Sequence, residues 1–247
     1  MEIIALANQK GGVAKSTSTY NLAYLKALEG KRVLMIDLDP QGSLTIMCGM
    51  IPGQTDFSTC SLLDGRDPFD CGYPVDKSGL ENLYIVPSDI DLAETEQIMV
   101  GRTAREKILK KQLLKFNGEF DYIFIDCPPQ LGILTTNALV AATKVIVPTK
   151  SEYLAYRGVR ALKRSIQTVK EEFNPELVFH GFLISMYEGR INDQRDLLEQ
   201  FKKEGPVIGI IKKSADTYRN ILDGVPVVKA NPKCDVSLSY TKISEKI

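Results

Sequence analysis

Seven short apolar runs punctuate the chain: IIALA (3–7), RVLMID (32–37), LYIVP (83–87), YIFID (122–126), KVIVPT (144–149), LVFHGFLI (177–184) and PVIGII (206–211). They are rich in β-branched residues, too short to be helices, and have turn residues nearby, so they predict buried strands. Between them the spacing predicts helices near 16–29, 91–100, 103–116, 132–142, 154–173, 191–204 and 215–223. Strand and helix alternating in this way predict one α/β domain over 1–247: a twisted, mostly parallel sheet with helices on both faces, three layers in all. Residues 49–80 break the rhythm with Gly, Pro, Asp and Ser, and are expected to form an irregular surface excursion of the same domain. The tail from 237, SLSYTKISEKI, predicts a short final helix.

Composition narrows the function classes. With 44% hydrophobic and 25% charged residues among 247, the chain reads as globular. Lys+Arg and Asp+Glu are both 31, so nothing favours wholesale nucleic-acid binding, although a local basic face stays open. Five scattered cysteines without a CxxC predict reduced thiols in a cytoplasmic protein rather than a disulfide or zinc framework. With a single histidine, His180, multi-His metal sites and Ser-His catalysis are not expected. The N-terminus enters a strand pattern at once, with no leader pattern, and no apolar run reaches membrane-spanning length. The tail lacks an aromatic-rich basic face, so membrane anchoring is not expected.

The chemistry concentrates in KGGVAKST, Lys10–Thr17, between a strand and a helix. Backbone N–H groups and a helix N-terminus make an anion site there. Gly11 and Gly12 let the chain fold tightly, Lys15 is placed to reach β- and γ-phosphates, Ser16 to bind Mg²⁺, and Thr17 to reach the α-phosphate. The loop departs from G-x-x-x-x-G-K-[ST]: Gln9 and Ala14 occupy the glycine positions, and a second lysine, Lys10, leads the loop. Three further motifs end predicted strands, where ligands sit in open α/β sheets: MIDLDPQGS (35–43), FDYIFIDCPP (120–129) and VPTKSEY (147–153). Asp37 and Asp39 alternate, offering one carboxylate to a metal and one to an attacking water if the strand continues, while Asp126 suits the metal side.

KGGVAKST, VLMIDLDPQGS, DYIFIDCPP, PTKSEYLAYRGV and LISMYEGRIN together resemble the ParA/MinD family of deviant Walker A P-loop ATPases, and within it the ParA/Soj-type partition proteins. The resemblance implies an ATP hydrolase with Mg²⁺, working as a homodimer that sandwiches two ATP molecules. It implies that Lys10 reaches the nucleotide of the other subunit, that Lys15 is catalytic with it, and that Asp39 orients the attacking water. The loop residues Lys10, Gly11, Gly12, Val13, Ala14, Lys15, Ser16 and Thr17 would hold the phosphates. Ser16, Asp37 and Asp126 would act near Mg²⁺, and Met186 would lie by the adenine. Ala14 replaces the glycine of most relatives. Ile211, Lys212 and Lys213 stand where the family has Ile-Pro-Arg, which puts Lys212 on the base side.

For the partition proteins the resemblance further implies non-specific binding of double-stranded DNA by the ATP dimer, a ParB-like activator, and a cytoplasmic, nucleoid-associated location. With no helix-turn-helix ahead of residue 1, operator binding is not expected, and phosphate contacts must carry the affinity. Arg190, Lys213 and Arg219 are candidates, as are Arg157, Arg160, Lys163 and Arg164; a family arginine falls at Asp216, and Arg219 lies one turn on. The competing reading is a MinD-like or cargo-positioning ATPase with a protein or membrane target and no DNA binding. A cluster-bridging electron carrier lacks a second placed cysteine, a tyrosine kinase lacks a terminal tyrosine cluster, and a non-catalytic scaffold sits poorly with intact Lys10, Lys15, Asp39 and Asp126.

Overall fold

The structure, a computed structural model, describes residues 1–116, 118–214 and 223–247. Eight strands form one sheet: β1 (Glu2–Leu6), β2 (Val33–Asp37), β3 (Tyr73–Pro74), β4 (Leu83–Val86), β5 (Tyr122–Asp126), β6 (Lys144–Lys150), β7 (Val178–Tyr187) and β8 (Val207–Lys212). Their order is β3-β4-β2-β5-β1-β6-β7-β8, parallel throughout except that two-residue β3 pairs antiparallel with β4. The seven predicted runs all become strands, and the one antiparallel strand lies in the segment whose pattern was weakest.

Alternating side chains divide between the faces, as the pleat demands. Ile3 and Ala5 of β1 face one apolar cluster, Ile4 and Leu6 the other. α1 (Lys15–Leu28), α2 (Ser43–Met47), α10 (Val227–Ala230) and α11 (Asp235–Ser244) contribute to the Ile4 side. α5 (Leu92–Val100), α6 (Ile108–Leu113), α7 (Ile133–Ala141), α8 (Tyr153–Glu172) and α9 (Asn192–Glu204) contribute to the Ile3 side. In α8 the buried positions Ala155, Val159, Leu162, Ile166 and Val169 recur at helical spacing, leaving a charged outer face. The predicted helix over 103–116 breaks into α6 flanked by 3-10 turns at Arg105–Lys107 and Leu114–Phe116. The helix expected over 215–223 falls largely outside the described residues.

Two expectations change. Residues 49–80 are not simply a surface excursion: α3 (Thr59–Leu63) and α4 (Pro68–Cys71) fold within them, and Leu62, Leu63, Cys71 and Val75 are buried. Periodicity could not reveal helices of one turn, which owe their stability to the core they meet rather than to their own length. The final helix begins earlier than 237, at Asp235, with the Cys234 thiol accepting from the Ser237 N–H. It packs against α1 and β8 through buried Val236, Tyr240 and Ile243. Because Leu62 is fully buried, Leu62→Ala is expected to cost about 2–4 kcal/mol in urea unfolding. A change under about 0.5 kcal/mol would return this segment to the surface.

Candidate nucleotide-binding site

The loop Lys10–Ala14 joins the carboxyl end of β1 to α1. Gly12 adopts φ 67° and Ala14 φ 65°, and the Ser18 N–H donates to the Ala14 carbonyl at 2.9 Å to open α1. Gly12 takes this left-handed turn without penalty, whereas the Cβ of Ala14 makes it unfavourable by about 1–2 kcal/mol. Two buried side chains frame the loop. Asn8 donates to the Pro148 carbonyl at 2.6 Å, and its Oδ1 accepts from the Lys10 N–H at 3.1 Å. The Ser185 hydroxyl lies 2.9 Å from the Val13 carbonyl and 3.3 Å from that of Thr149. Neither Asn8 nor Ser185 was a candidate from sequence, although both are polar residues beside apolar strand runs.

The loop's two lysines lie in different surroundings. Lys15 is buried, near enough to Asp126 to lower its pKa. The Lys10 side chain is one-third exposed and pairs with Glu152, the residue before α8. Sequence reasoning did not single out Glu152, though it lies in the PTKSEY segment.

β2 and β5 are neighbours, and Asp37 and Asp126 are register partners at their ends. Asp37 is fully buried; its Oδ2 accepts from the Thr45 N–H at 2.8 Å and the Thr45 hydroxyl at 2.7 Å, and its Oδ1 from the Asp39 N–H at 3.2 Å. Burial pushes its pKa up to about 6 despite these donors, which pull it down. Asp126 is pushed well above the carboxylate range, first by burial and then by the Asp37 charge; nearby Ser16 and Lys15 only partly oppose this. Neither Asp126 oxygen has a hydrogen-bond partner of good geometry among the described residues. A buried carboxylate pair with one member unsatisfied fits a divalent cation, because the cation's charge reverses this pKa logic. Asp39 lies beyond the end of β2, so strict alternation does not govern it. Its Oδ1 accepts from the Gln41 N–H at 3.0 Å, and it borders a cleft with Pro40, Gln41, Pro128 and Gln130. Gly42 (φ 61°) opens α2, which carries Thr45 back to Asp37; a Cβ there would stand 2.8 Å from Pro52.

Beside the loop, Ala14, Ser185, Met186, Ile211, Lys212, Lys213, Ser214 and Tyr240 enclose a cavity of only about 20 Å³. It unites the expected base-side residues Met186 and Lys212 with the loop. Tyr240 was not among the expected residues, because it comes from the far end of the chain. The candidate DNA residues are less uniform. Lys213 pairs with Glu188 at 2.9 Å and Lys212 with Asp235 at 3.0 Å, while Glu204 pairs with Lys163 at 2.9 Å and Arg160 at 3.7 Å. Arg157, Arg164 and Arg190 are exposed and have no ion pair among the described residues. Asp216 and Arg219 lie outside the described residues.

A parallel sheet, a left-handed glycine loop leading into a helix, and carboxylates at the ends of two neighbouring strands define a P-loop nucleotide-binding fold. Residues 1–179 match the family described as an AAA domain. The sporulation initiation inhibitor protein Soj of Bacillus subtilis (strain 168) is 39% identical over 252 residues, spanning 100% of this chain and 98% of its own. The chromosome partitioning protein ParA of Caulobacter vibrioides is 34% identical over 258 residues, spanning 100% and 94%. Among solved structures, cobyrinic acid a,c-diamide synthase from Mycobacterium smegmatis with bound ATP analog and magnesium superposes with TM-score 0.85 at 34% identity, covering 99% of this chain and 93% of its own. The cell division ATPase MinD of Pyrococcus furiosus, at TM-score 0.80 and 21% identity over 99% and 97%, shares the fold. The chain belongs to the ParA/MinD family of P-loop ATPases.

Two stability measurements test the site. A raised folded pKa means that the folded chain holds the Asp37 proton more tightly than the unfolded chain. This group's contribution to stability therefore falls as pH rises from about 4 to about 6. Asp126→Asn replaces a carboxyl whose ionisation burial opposes, so without ligands it is expected to raise Tm at pH 8 by about 2–6 °C. The gain should shrink as pH is lowered and the wild-type carboxyl takes up its own proton. A lower Tm at pH 8 would mean that the charge is already compensated. Ala14→Gly relieves the left-handed alanine and is expected to add about 0.5–1 kcal/mol, read by urea unfolding.

Proposed function

We propose that the chain is a Mg-ATP-dependent dimerising ATPase switch for DNA partitioning, acting on a plasmid or chromosome, with a ParB-like partner stimulating hydrolysis. The observation that carries this reading is the contrasting placement of the two loop lysines: Lys15 buried near Asp126, Lys10 partly exposed on Glu152. An inward lysine serves the chain's own phosphates, and an outward one is available to a second subunit.

Each side chain then has a defined task. Lys15 and the N–H groups of the loop and the first turn of α1 hold the β- and γ-phosphates, Thr17 the α-phosphate. Ser16, Asp37 and Asp126 would hold magnesium, which would supply positive charge to offset that of the phosphates. Asp39, at the edge of an open cleft, orients the attacking water. Lys10 leaves Glu152 and stabilises charge on the other subunit's γ-phosphate, as an arginine finger does. Met186 and Lys212 lie on the base side. ATP binding closes the dimer, and hydrolysis to ADP and phosphate opens it.

For the target, Arg157 and Arg164 are seven residues apart on α8, so they share one face. With Arg190 they form the part of the candidate basic surface that has no ion pair among the described residues, while Lys213 would exchange Glu188 for a DNA phosphate; Arg219 remains a candidate. Such contacts carry no sequence preference. The location that follows is cytoplasmic and nucleoid-associated. No helix among the described residues is long and apolar enough to cross a membrane.

The test is binding to random-sequence duplex DNA with ATP, with ADP and without nucleotide, across a salt series. Binding with ATP alone, weakening steeply with salt, is expected, and Arg157→Ala with Arg164→Ala should lower the salt slope by about one unit each. Asp39→Ala should accumulate an ATP-bound dimer that holds DNA without releasing phosphate. ATP-dependent dimers with no DNA affinity would move the target to a protein or a membrane.

A further inference from the structure

The small cavity beside the phosphate loop has unusual walls. Only three non-glycine residues among those described adopt positive φ, and two of them, Ala14 (φ 65°) and Met186 (φ 53°), border this cavity. Strained L-residues persist where surrounding structure holds them, and they gather at ligand clamps. The wall contributed from farthest along the chain is Tyr240 of α11, 1% exposed. Its hydroxyl shares a 3.0 Å hydrogen bond with Ser18. The Ser18 N–H in turn donates to the Ala14 carbonyl at 2.9 Å. One buried tyrosine therefore borders the cavity beside the phosphate loop and meets the first turn of the phosphate helix with its hydroxyl.

We propose that Tyr240 is a positioning residue of the nucleotide site, its ring setting the base-side wall and its hydroxyl fixing the first turn of α1 through Ser18. The inference rests on the nucleotide-binding reading and makes α11 part of that site. A cavity of about 20 Å³ holds no more than a water. A base seated there must widen it, and Tyr240 is one of the walls that the base then meets. Aromatic walls suit a flat heterocycle, because stacked rings gain beyond the area they bury. The hydroxyl acts on different atoms. Ser18 follows Ser16 and Thr17 in the first turn of α1, so freeing Ser18 loosens the turn that the proposed anion site is built on, whatever base is attached.

The two functions separate with two probes, Mg-ATP and Mg-tripolyphosphate, titrated calorimetrically into the full chain. Tyr240→Met replaces the ring with a flexible apolar side chain of similar bulk. It is expected to lose more affinity for ATP than for tripolyphosphate, by about tenfold. Tyr240→Phe keeps the ring and the packing; both probes should weaken by one common factor, about threefold, with faster amide exchange at Ser18 and Thr19. Equal losses for both probes in Tyr240→Met, or wild-type affinities in either variant, would overturn the proposal. If Tyr240→Met does not fold, as judged by its thermal transition, Tyr240→Phe decides alone. A wild-type chain that binds neither probe would instead remove the nucleotide reading on which the proposal rests.

Discussion

Two carboxylates that cannot reach water organise this protein. The parallel register of β2 and β5 sets Asp37 against Asp126 at the strand ends, and both are buried. Desolvation is the main cause that raises both pKa values, with the Asp39 charge adding to it at Asp37 and the Asp37 charge at Asp126, so the fold carries an electrostatic penalty where the sheet is most regular. The neighbouring elements are arranged to contain it. Gly42 turns the chain so that α2 brings both Thr45 donors to Asp37, and the Ser88 N–H locks the Thr45 hydroxyl at 2.9 Å. On the other side Lys15 supplies a positive charge. Asp126 keeps no hydrogen-bond partner of good geometry among the described residues, and that residual penalty is what a divalent cation would remove. A site stabilised only by its ligand makes the folded state responsive to that ligand.

The phosphate loop is held by neighbours distant in sequence rather than by its own glycines. Asn8 binds the carbonyl of Pro148 and Ser185 that of Thr149, consecutive residues near the end of β6. Two residues past β6 stands Glu152, which holds Lys10. Loop, strand end and the start of α8 therefore form one hydrogen-bonded unit, in which Lys10 has the least buried attachment. Its ion pair with Glu152 is partly solvated and correspondingly weak.

Charge balance explains why composition says little about the target. The formal net charge is zero, and much of the basic surface is neutralised locally. Glu204 alone engages Lys163 and Arg160, while Lys212 and Lys213 lean on Asp235 and Glu188. What remains is a small set of arginines without carboxylate partners among the described residues, two of them on one face of α8. Counting lysines and arginines would have overstated the patch; pairing distances reduce it to those side chains.

The sequence by itself determined the sheet and the chemistry of its carboxyl edge. Buried parallel strands must be continuous apolar runs, so all seven were visible, and KGGVAKST, DLDPQGS and FIDCPP identified the loop and carboxylates because phosphate binding demands those residue types in order. Short-range patterns could not report contacts that close over long separations. The single-turn helices in 59–71, the Asn8 and Ser185 ties, the Glu152 partner of Lys10 and the place of Tyr240 beside Ala14 exist only once the sheet has brought distant segments together. The tertiary structure also decided how strongly each carboxylate is perturbed, because desolvation depends on what surrounds a group in space and not on its neighbours along the chain.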